Sequence, residues 1–168
     1  MKNILRSILA GGLTLAALVF AGCGQAEKPG AVSTPTAAAA PGVKTLAITG
    51  DDTMKFNVTV FEVKAGEPVR VTLTNVGKMP KQAMAHNWVL LQPCSEADFN
   101  AFGMAATMAA PTHIPSGTAA KIIAKTKLLG PGETDSIDFS APAQPGEYPF
   151  LCTFPGHFAL MKGKLVVK

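Results

Sequence analysis

The chain of 168 residues is 48% hydrophobic and 15% charged, with a formal net charge of +4. This length suits one domain, and the hydrophobic fraction excludes a wholly disordered chain. Three His and three Cys are too few for a multi-metal enzyme built on His clusters, or for a disulfide-rich scaffold. Lys and Arg are spread along the chain rather than clustered, so the sequence does not predict a nucleic-acid-binding protein.

The N-terminus has the organisation of an export leader. Lys2 and Arg6 precede an apolar run, residues 8–20, that is short for a membrane span. Phe20-Ala21-Gly22-Cys23 is similar to the lipobox of a bacterial lipoprotein signal, which implies cleavage before Cys23 and acylation of that residue. Several acyl chains on one residue anchor a protein stably. The alternative is an ordinary signal peptide cleaved nearby, with Cys23 a free thiol; both interpretations predict an exported protein.

A linker separates this leader from the folded part. Residues 24–43 are rich in Ala, Pro, Gly, Ser and Thr and lack apolar periodicity, so they cannot bury enough surface to offset the cost of ordering. The expected organisation is therefore a signal peptide at 1–22, Cys23 with its linker to residue 43, and one domain at 44–168. At about 3.1 Å per residue, an extended linker would hold the domain on the order of 60 Å from a membrane, although a flexible tail without a spacing role fits equally well.

From Lys44 onward the sequence has the signals of short strands. The alternating or short apolar runs are Leu46–Ile48, Phe56–Val60, Val69–Leu73, His86–Leu91, Ile137–Phe139, Tyr148–Cys152 and Leu165–Val167. Residues 95–108 have a more helical pattern, and residues 109–118, with two prolines, are predicted to be a loop. Seven or eight strands separated by turn residues predict an all-β, antiparallel sandwich or barrel with one helical insertion.

The residues that carry chemistry are concentrated near the C-terminus. Cys152, His157 and Met161 lie within ten residues, on a predicted loop that Pro155-Gly156 can turn back on itself. His86 begins another predicted strand far upstream. Together these residues offer one thiolate, two imidazoles and one thioether, which is the ligand set of a blue-copper electron-transfer site.

Other chemistry fits these four residues less well. Structural zinc prefers several thiolates, or His, with no Met. A thiol nucleophile with a His base would need a third group to orient the base, and would leave Met161 without a role. The remaining interpretation is a buried Cys and a surface His with no common function, and each residue taken alone is compatible with it. The spacing of the whole set favours copper.

The chain from residue 47 to residue 168 resembles the azurins, a family of small bacterial cupredoxins. The strings that carry the resemblance are Met54-Lys-Phe-Asn57, His86-Asn-Trp-Val-Leu90, Thr126-Lys-Leu-Leu-Gly130, Asp135-Ser136 and Cys152 through Gly163. With its leader and linker, the chain is similar to the lipid-modified azurins. The resemblance implies an eight-stranded Greek-key sandwich with a short helical insertion. It also implies one type 1 copper held by His86, Cys152, His157 and Met161, with a distant carbonyl oxygen from Ala85, where the family usually has Gly.

The resemblance also implies supporting roles. Asn87 is expected to tie the two ligand-bearing segments together, and the Phe154 amide to donate a weak hydrogen bond to the Cys152 sulfur. An apolar patch around the edge of His157 is expected to dock redox partners through a small interface. Its expected members are Met54, Met84, Met104, Phe154, Ala159 and Leu160. For each methionine, filling of the core is the alternative.

Several positions depart from the azurin pattern. Gly66 stands where azurins have one Cys of a disulfide, so that bridge is absent, and Cys94 stands where they have none. Cys94 is either buried and inert or prone to oxidation and dimerisation. Asn75 stands at the position of the family's titrating His, so we expect a midpoint potential nearly independent of pH between about 5 and 8. His113 is expected to be a solvent-exposed bystander.

The implied function is that of an electron carrier, not an enzyme, which passes single electrons between exported partners such as c-type cytochromes or reductases. A copper nitrite reductase or oxidase would need further His ligands for a second copper. The main alternative is copper scavenging or a copper chaperone. It rests on four available thioethers that form no Met-x-x-Met repeat, Met79, Met84, Met104 and Met108. We expect a periplasmic monomer that Cys23 anchors to a membrane, preferably the outer membrane, with no nucleic-acid partner.

Overall fold

The computed structural model describes residues 42–168. The expected signal peptide, Cys23 and the linker up to residue 41 lie outside the described residues. Within the described range, no helix is long and apolar enough to cross a membrane.

Eight strands and two short α-helices follow one another along residues 42–168. The strands are β1 Lys44–Gly50, β2 Val60–Val63, β3 Pro68–Asn75, β4 Val89–Leu91, β5 Ile122–Lys125, β6 Thr134–Ser140, β7 Gly146–Leu151 and β8 Lys162–Val167. The helices are α1 Lys81–Met84 and α2 Glu96–Thr107. Helix α2 begins after Ser95, whose hydroxyl oxygen accepts a hydrogen bond from the Asp98 amide at 3.1 Å. This cap satisfies one of the free amides at the start of the helix.

The strands form two sheets that share one hydrophobic core. One sheet has the order β1-β3-β6 and the other the order β2-β8-β7-β4-β5. The two-sheet all-β architecture expected from the sequence is therefore confirmed. The pairs β1–β3 and β2–β8 are parallel, while the other four pairs are antiparallel. The expected antiparallel arrangement is wrong for these two pairs, because alternation indicates which face is buried but not which strand lies alongside.

The core is built from the inward faces of both sheets. In β3, the buried Val69, Val71 and Leu73 alternate with half-buried residues, as a strand with one face on the core requires. Trp88 and Phe150 are fully buried between the sheets, with ring centroids 5.5 Å apart. Full burial of one large apolar side chain contributes about 1.5–3 kcal/mol, so the shared core holds the two sheets together.

Two segments differ from the sequence-based expectation. The run Phe56–Val60 is not a continuous strand. Phe56 forms an isolated bridge with Gly50, and β2 begins only at Val60, whose side chain is 50% exposed. The sequence does not predict strand β5, because only a short helical turn, Ala119–Lys121, separates it from the proline-containing loop, and its two adjacent isoleucines, Ile122 and Ile123, do not alternate with polar residues.

The pairing of β4 with β7 brings two distant parts of the chain together. Val89, the first residue of β4, pairs in antiparallel register with Leu151, the last residue of β7. The residues just before β4 and just after β7 therefore lie at the same end of the sheet. These are the segments that carry His86 and Cys152.

Candidate metal centre

Three donor side chains converge at this end of the sheet. His86 precedes β4, while Cys152 and His157 lie in the connection from β7 to β8. The ligand atoms of these three residues lie within 4.8 Å of one another, and all three side chains are buried. The Cys152 Sγ lies 3.6 Å from Nδ1 of His157 and 4.0 Å from the carbonyl oxygen of Ala85.

Backbone hydrogen bonds fold the connection that carries Cys152 and His157. Gly156 has φ +79°, a left-handed conformation that residues with a Cβ adopt rarely, so glycine allows the turn. The His157 amide donates to the Phe154 carbonyl at 3.0 Å, and the Met161 amide donates to the His157 carbonyl at 2.7 Å. The Cys152 amide in turn donates to the Met161 carbonyl at 2.9 Å. The two ends of the loop are thus joined, which brings Met161 next to Cys152.

The segment that carries His86 is held through its main chain. The His86 amide donates to the Leu129 carbonyl at 3.0 Å, and the Leu129 amide donates to the His86 carbonyl at 2.7 Å. The buried Asn75 side chain supports this pair, because its Nδ2 donates to the carbonyls of Leu129 at 3.1 Å and Met84 at 3.3 Å. Asn75 therefore fixes the backbone at Met84, just before Ala85 and His86, and at Leu129, which pairs with His86.

Asn87 joins the two segments directly. Its Nδ2 donates to Oγ1 of Thr153 at 2.7 Å, and its Oδ1 accepts from the Thr153 amide at 2.8 Å. Each of the two residues is 1% exposed. Because Asn87 follows His86 and Thr153 follows Cys152, these bonds fix the separation of the two donor-bearing segments.

Met161 and Ala85 complete the surroundings of the three donors. Met161 is fully buried and packs beside His86 against Gly50. A Cβ at Gly50 would overlap the Met161 methyl group and lie 3.1 Å from Cδ2 of His86, so glycine leaves room for both side chains. Ala85 is fully buried with φ −78° and ψ 154°. This is an extended conformation open to any residue, so the change from Gly to Ala brings no backbone strain.

The two imidazoles are in the neutral state that suits a metal, whereas the thiol must lose its proton to bind one. Nδ1 and Nε2 of His86 are buried, and neither has a hydrogen-bond partner within the described residues. Burial lowers the pKa of His157 to about 4 and also lowers that of His86, so both imidazoles are neutral at pH 7. Burial raises the pKa of the Cys152 thiol to about 12, although hydrogen bonds from the amides of Asn87 and Phe154 oppose this shift.

This donor set fits copper. A buried imidazole with two unpaired nitrogens is unfavourable unless something binds it, and neutral imidazole is the form that coordinates metals. Two imidazoles and one thiolate, with a thioether close by, are the ligands that blue-copper sites use. Within the described residues, His86, Cys152 and His157 form the one group of this kind.

His113 is buried beside Phe154, which neighbours this centre, so the expectation of a solvent-exposed bystander is wrong. Its side chain is 9% exposed. Its Nδ1 lies 3.1 Å from the carbonyl oxygen of Ala106 in α2, and its ring packs edge-on against Phe154 with centroids 5.3 Å apart. The prolines on either side indicated a loop, but nothing in the sequence indicated that the loop folds back onto α2.

The residues expected to form the docking patch differ in exposure. Met104 and Leu160 are 66% and 59% exposed, and Ala159 is also exposed. Met54 and Met84 are half-buried, while Phe154 is 9% exposed. Two exposed methionines had not been assigned to the patch, Met79 at 42% and Met108 at 86%.

Cys94 is exposed at the surface, so the alternative of a buried residue is wrong. It and Cys152 are both free thiols, and residues 42–168 contain no disulfide. Partial burial and the charge of Asp98 raise the pKa of the Cys94 thiol. The neutral thiol is therefore favoured, which makes this side chain a weak nucleophile.

Known proteins are similar to this chain in sequence and in the arrangement of their strands. The sequence profile described as copper binding proteins, plastocyanin/azurin family, matches residues 43–168. The azurin of Pseudomonas aeruginosa is 41% identical over 124 residues, which cover 72% of this chain and 82% of that protein. The azurin of Achromobacter denitrificans is 40% identical over 121 residues, with coverages of 70% and 80%. The structure of auracyanin A, a blue copper protein from the green thermophilic photosynthetic bacterium Chloroflexus aurantiacus, has a TM-score of 0.68 at 34% identity. It covers 76% of this chain and 100% of its own.

Proposed function

Because the chain belongs to the plastocyanin/azurin family of copper-binding proteins, we propose that His86, Cys152 and His157 would hold its copper, with the Met161 thioether and the Ala85 carbonyl oxygen as further candidate ligands. The observation that supports this assignment is the convergence of three buried donors within 4.8 Å. The unpaired nitrogens of His86 support it further.

The chain is a blue copper electron-transfer protein with one copper, not an enzyme. The azurin resemblance, the eight-stranded cupredoxin sandwich and the copper cofactor, all expected from the sequence, are confirmed. When bound, copper supplies a one-electron couple between Cu(II) and Cu(I).

The protein's own contribution is to keep the donors in one arrangement. The Asn87–Thr153 bonds, the main-chain pair of His86 with Leu129 and the bonds that close the loop at Met161 do not involve the donor atoms themselves. They therefore hold the donors in both oxidation states, which keeps reorganisation small. Burial excludes water from the donors, so no solvent molecule has to rearrange when the charge of the centre changes.

The amides around Cys152 prepare its sulfur for the metal. The sulfur coordinates as the thiolate, so the thiol proton must leave when copper binds. The amides of Asn87 and Phe154 donate to the sulfur and favour the charged form. These are the contacts through which the chain adjusts the strength of the copper–sulfur interaction.

Redox proteins are the partners of this carrier, and we propose that they dock beside His157. The exposed Leu160 and Met104 flank the contact between α2 and residues 157–159, where the Phe158 ring packs on Gly103. An apolar rim over a nearly buried donor suits brief encounters with partners such as c-type cytochromes or reductases, whose interfaces bury less than about 1,200 Å².

The copper assignment is tested by the visible absorption of the protein loaded with Cu(II). We expect an intense blue band, one copper per chain and reversible one-electron reduction. Cys152→Ser should abolish the band and leave the fold intact, whereas the matched control Cys94→Ser, at the other cysteine of the described domain, should retain it. Absence of the band in the wild type, or its survival in Cys152→Ser, would contradict the assignment.

We also propose that the protein is exported and held in the periplasm as a monomer, anchored by acylated Cys23, preferably to the outer membrane. This proposal rests on the leader and on the Phe20–Cys23 motif. Membrane fractionation of the full chain should place the wild type with the outer membrane and release Cys23→Ala into the soluble fraction. A wild type that is already soluble would refute the anchor, and a dimer in size-exclusion chromatography would refute the monomer.

A further inference from the structure

A row of aromatic rings leads from the metal centre into the helical insertion. The rings of His157 and Phe154 have centroids 4.9 Å apart at an angle of 57°. The rings of Phe154 and His113 follow, with centroids 5.3 Å apart at 69°. One aromatic ring, that of Phe154, thus separates His113 from a donor of the metal centre, although His113 lies in a different segment of the chain.

His113 is held firmly at the end of this row. Its side chain is 9% exposed, and its Nδ1 lies 3.1 Å from the Ala106 carbonyl oxygen. Its main-chain amide donates to the Ala109 carbonyl at 2.8 Å. Its φ of +53° lies in the left-handed region, which residues other than glycine adopt at a cost. The surrounding structure therefore fixes a strained residue with its ring against Phe154.

Phe154 is hydrogen-bonded to two donor residues, His157 and Cys152, so its position affects both. Its carbonyl accepts the hydrogen bond from the His157 amide at 3.0 Å, and its amide donates towards the Cys152 sulfur. A shift of Phe154 would therefore move the backbone that orients both donors. The connection that carries Cys152 and His157 contacts α2 at a second point, where the Phe158 ring packs directly on Gly103.

We propose that His113 is a positioning residue for the metal centre: its ring holds Phe154 in place, and Phe154 keeps Cys152 and His157 in the arrangement that binds copper. This inference rests on the copper site proposed above. Helix α2 and the loop that carries His113 then hold the metal-binding loop in position, in addition to packing on the core.

Three variants separate the ring from the other roles of His113. His113→Asn removes the ring, while its short amide tolerates the left-handed conformation and can still bond to the Ala106 carbonyl. His113→Phe retains an aromatic edge against Phe154 but loses that bond. Ile114→Ala is the matched control, since Ile114 lies in the same loop and packs on the buried cluster around Phe102 rather than on Phe154.

Three measurements are needed for each variant: the Cu(II) dissociation constant by competition with a chelator, the visible absorption spectrum of the copper-loaded protein, and thermal unfolding of the copper-free protein. We expect His113→Asn to weaken copper binding about tenfold and to shift the blue band, as loss of a contact that orients a metal ligand does. His113→Phe should bind copper like the wild type even if it is less stable. Ile114→Ala should be less stable with unchanged copper affinity. Should His113→Asn not fold, His113→Gln takes its place with the same expected result.

The double variant His113→Asn/Phe154→Leu tests the route. If His113 acts through Phe154, the first substitution adds little once Phe154 has been replaced. Unchanged copper affinity in His113→Asn, equal losses in His113→Phe and His113→Asn, or full additivity in the double variant would each overturn the inference. Failure of the copper site itself is distinguishable, because the wild type would then lack the blue band.

Discussion

The link between Asn87 and Thr153 allows a quantitative test of how the centre is built. Two hydrogen bonds, of 2.7 and 2.8 Å, join the residue after His86 to the residue after Cys152, and both partners are buried. Asn87→Ala removes both bonds. It also leaves the Thr153 amide buried without a partner, because this amide donates to the Asn87 side chain and to no main-chain group.

The expected loss of stability follows from these contacts. A buried donor without a partner costs about 1–3 kcal/mol, and the space left by the missing carboxamide adds to that cost. We expect the unfolding free energy of the copper-free protein to fall by about 2–4 kcal/mol. Thr126→Val is the matched control. Thr126 is also buried, and its Oγ1 accepts a hydrogen bond from the Trp88 amide at 2.9 Å, but it does not link the two donor segments. Loss of this hydrogen bond should lower the unfolding free energy by about 1–3 kcal/mol.

Denaturant unfolding, followed by the fluorescence of the single Trp, measures the stability, and chelator competition measures the retention of copper. Asn87→Ala should lower both quantities, whereas Thr126→Val should lower stability alone. Copper affinity equal to that of the wild type in Asn87→Ala would refute the argument that this link holds the donors. If Asn87→Ala lowers the unfolding free energy by less than about 1 kcal/mol, the argument that it leaves the buried Thr153 amide without a partner is refuted.

Three further predictions concern the same centre. Gly50→Ala should push the Met161 thioether away and change the blue spectrum and midpoint potential of a folded protein; an unchanged spectrum would contradict the packing described above. The copper-free protein should lose stability between pH 7.5 and 5, with about 2 kcal/mol of the loss due to His157, whose pKa is about 4 when folded and 6.5 when unfolded, so the unfolded chain takes up protons first; the lowered pKa of His86 acts in the same direction. Urea unfolding at the two pH values checks this, and equal or higher stability at pH 5 would refute it. The midpoint potential of the wild type should be nearly independent of pH between about 5 and 8, whereas Asn75→His should make it pH-dependent; equal slopes in voltammetry would count against the role of Asn75.

The donor types could be predicted because three of them lie close together in the sequence. The position of His86 beside them could not be derived in the same way. It depends on the pairing of Val89 with Leu151, which joins distant segments. The short apolar runs in both segments predict strands but do not determine their register. The azurin resemblance supplied that information.

The wrong predictions for His113 and for the run from Phe56 to Val60 have a common physical origin. His113 was expected at the surface because proline-flanked loops are usually exposed. Its burial depends on the contact with Phe154, a residue that belongs to another loop. The run from Phe56 to Val60 has the alternation of a strand, yet Phe56 turns into the core while Val60 is half exposed. In each case a tertiary contact, rather than the local sequence, decides the outcome.

Apart from the ring packing of His113, the groups that support the centre share one property, which favours a midpoint potential that depends little on pH. The groups that hydrogen-bond around the donors are neutral amides, carbonyls and a hydroxyl, contributed by Asn75, Asn87, Thr153 and the main chain. None of them changes its charge between about pH 5 and 8. The ion pairs of the described domain, such as Arg70–Asp138, each include at least one exposed side chain, and surface pairs contribute little. When the centre gains or loses a charge on electron transfer, the hydrogen-bonding groups around it therefore keep their own charge. Burial and donor geometry are then the quantities that set the midpoint potential.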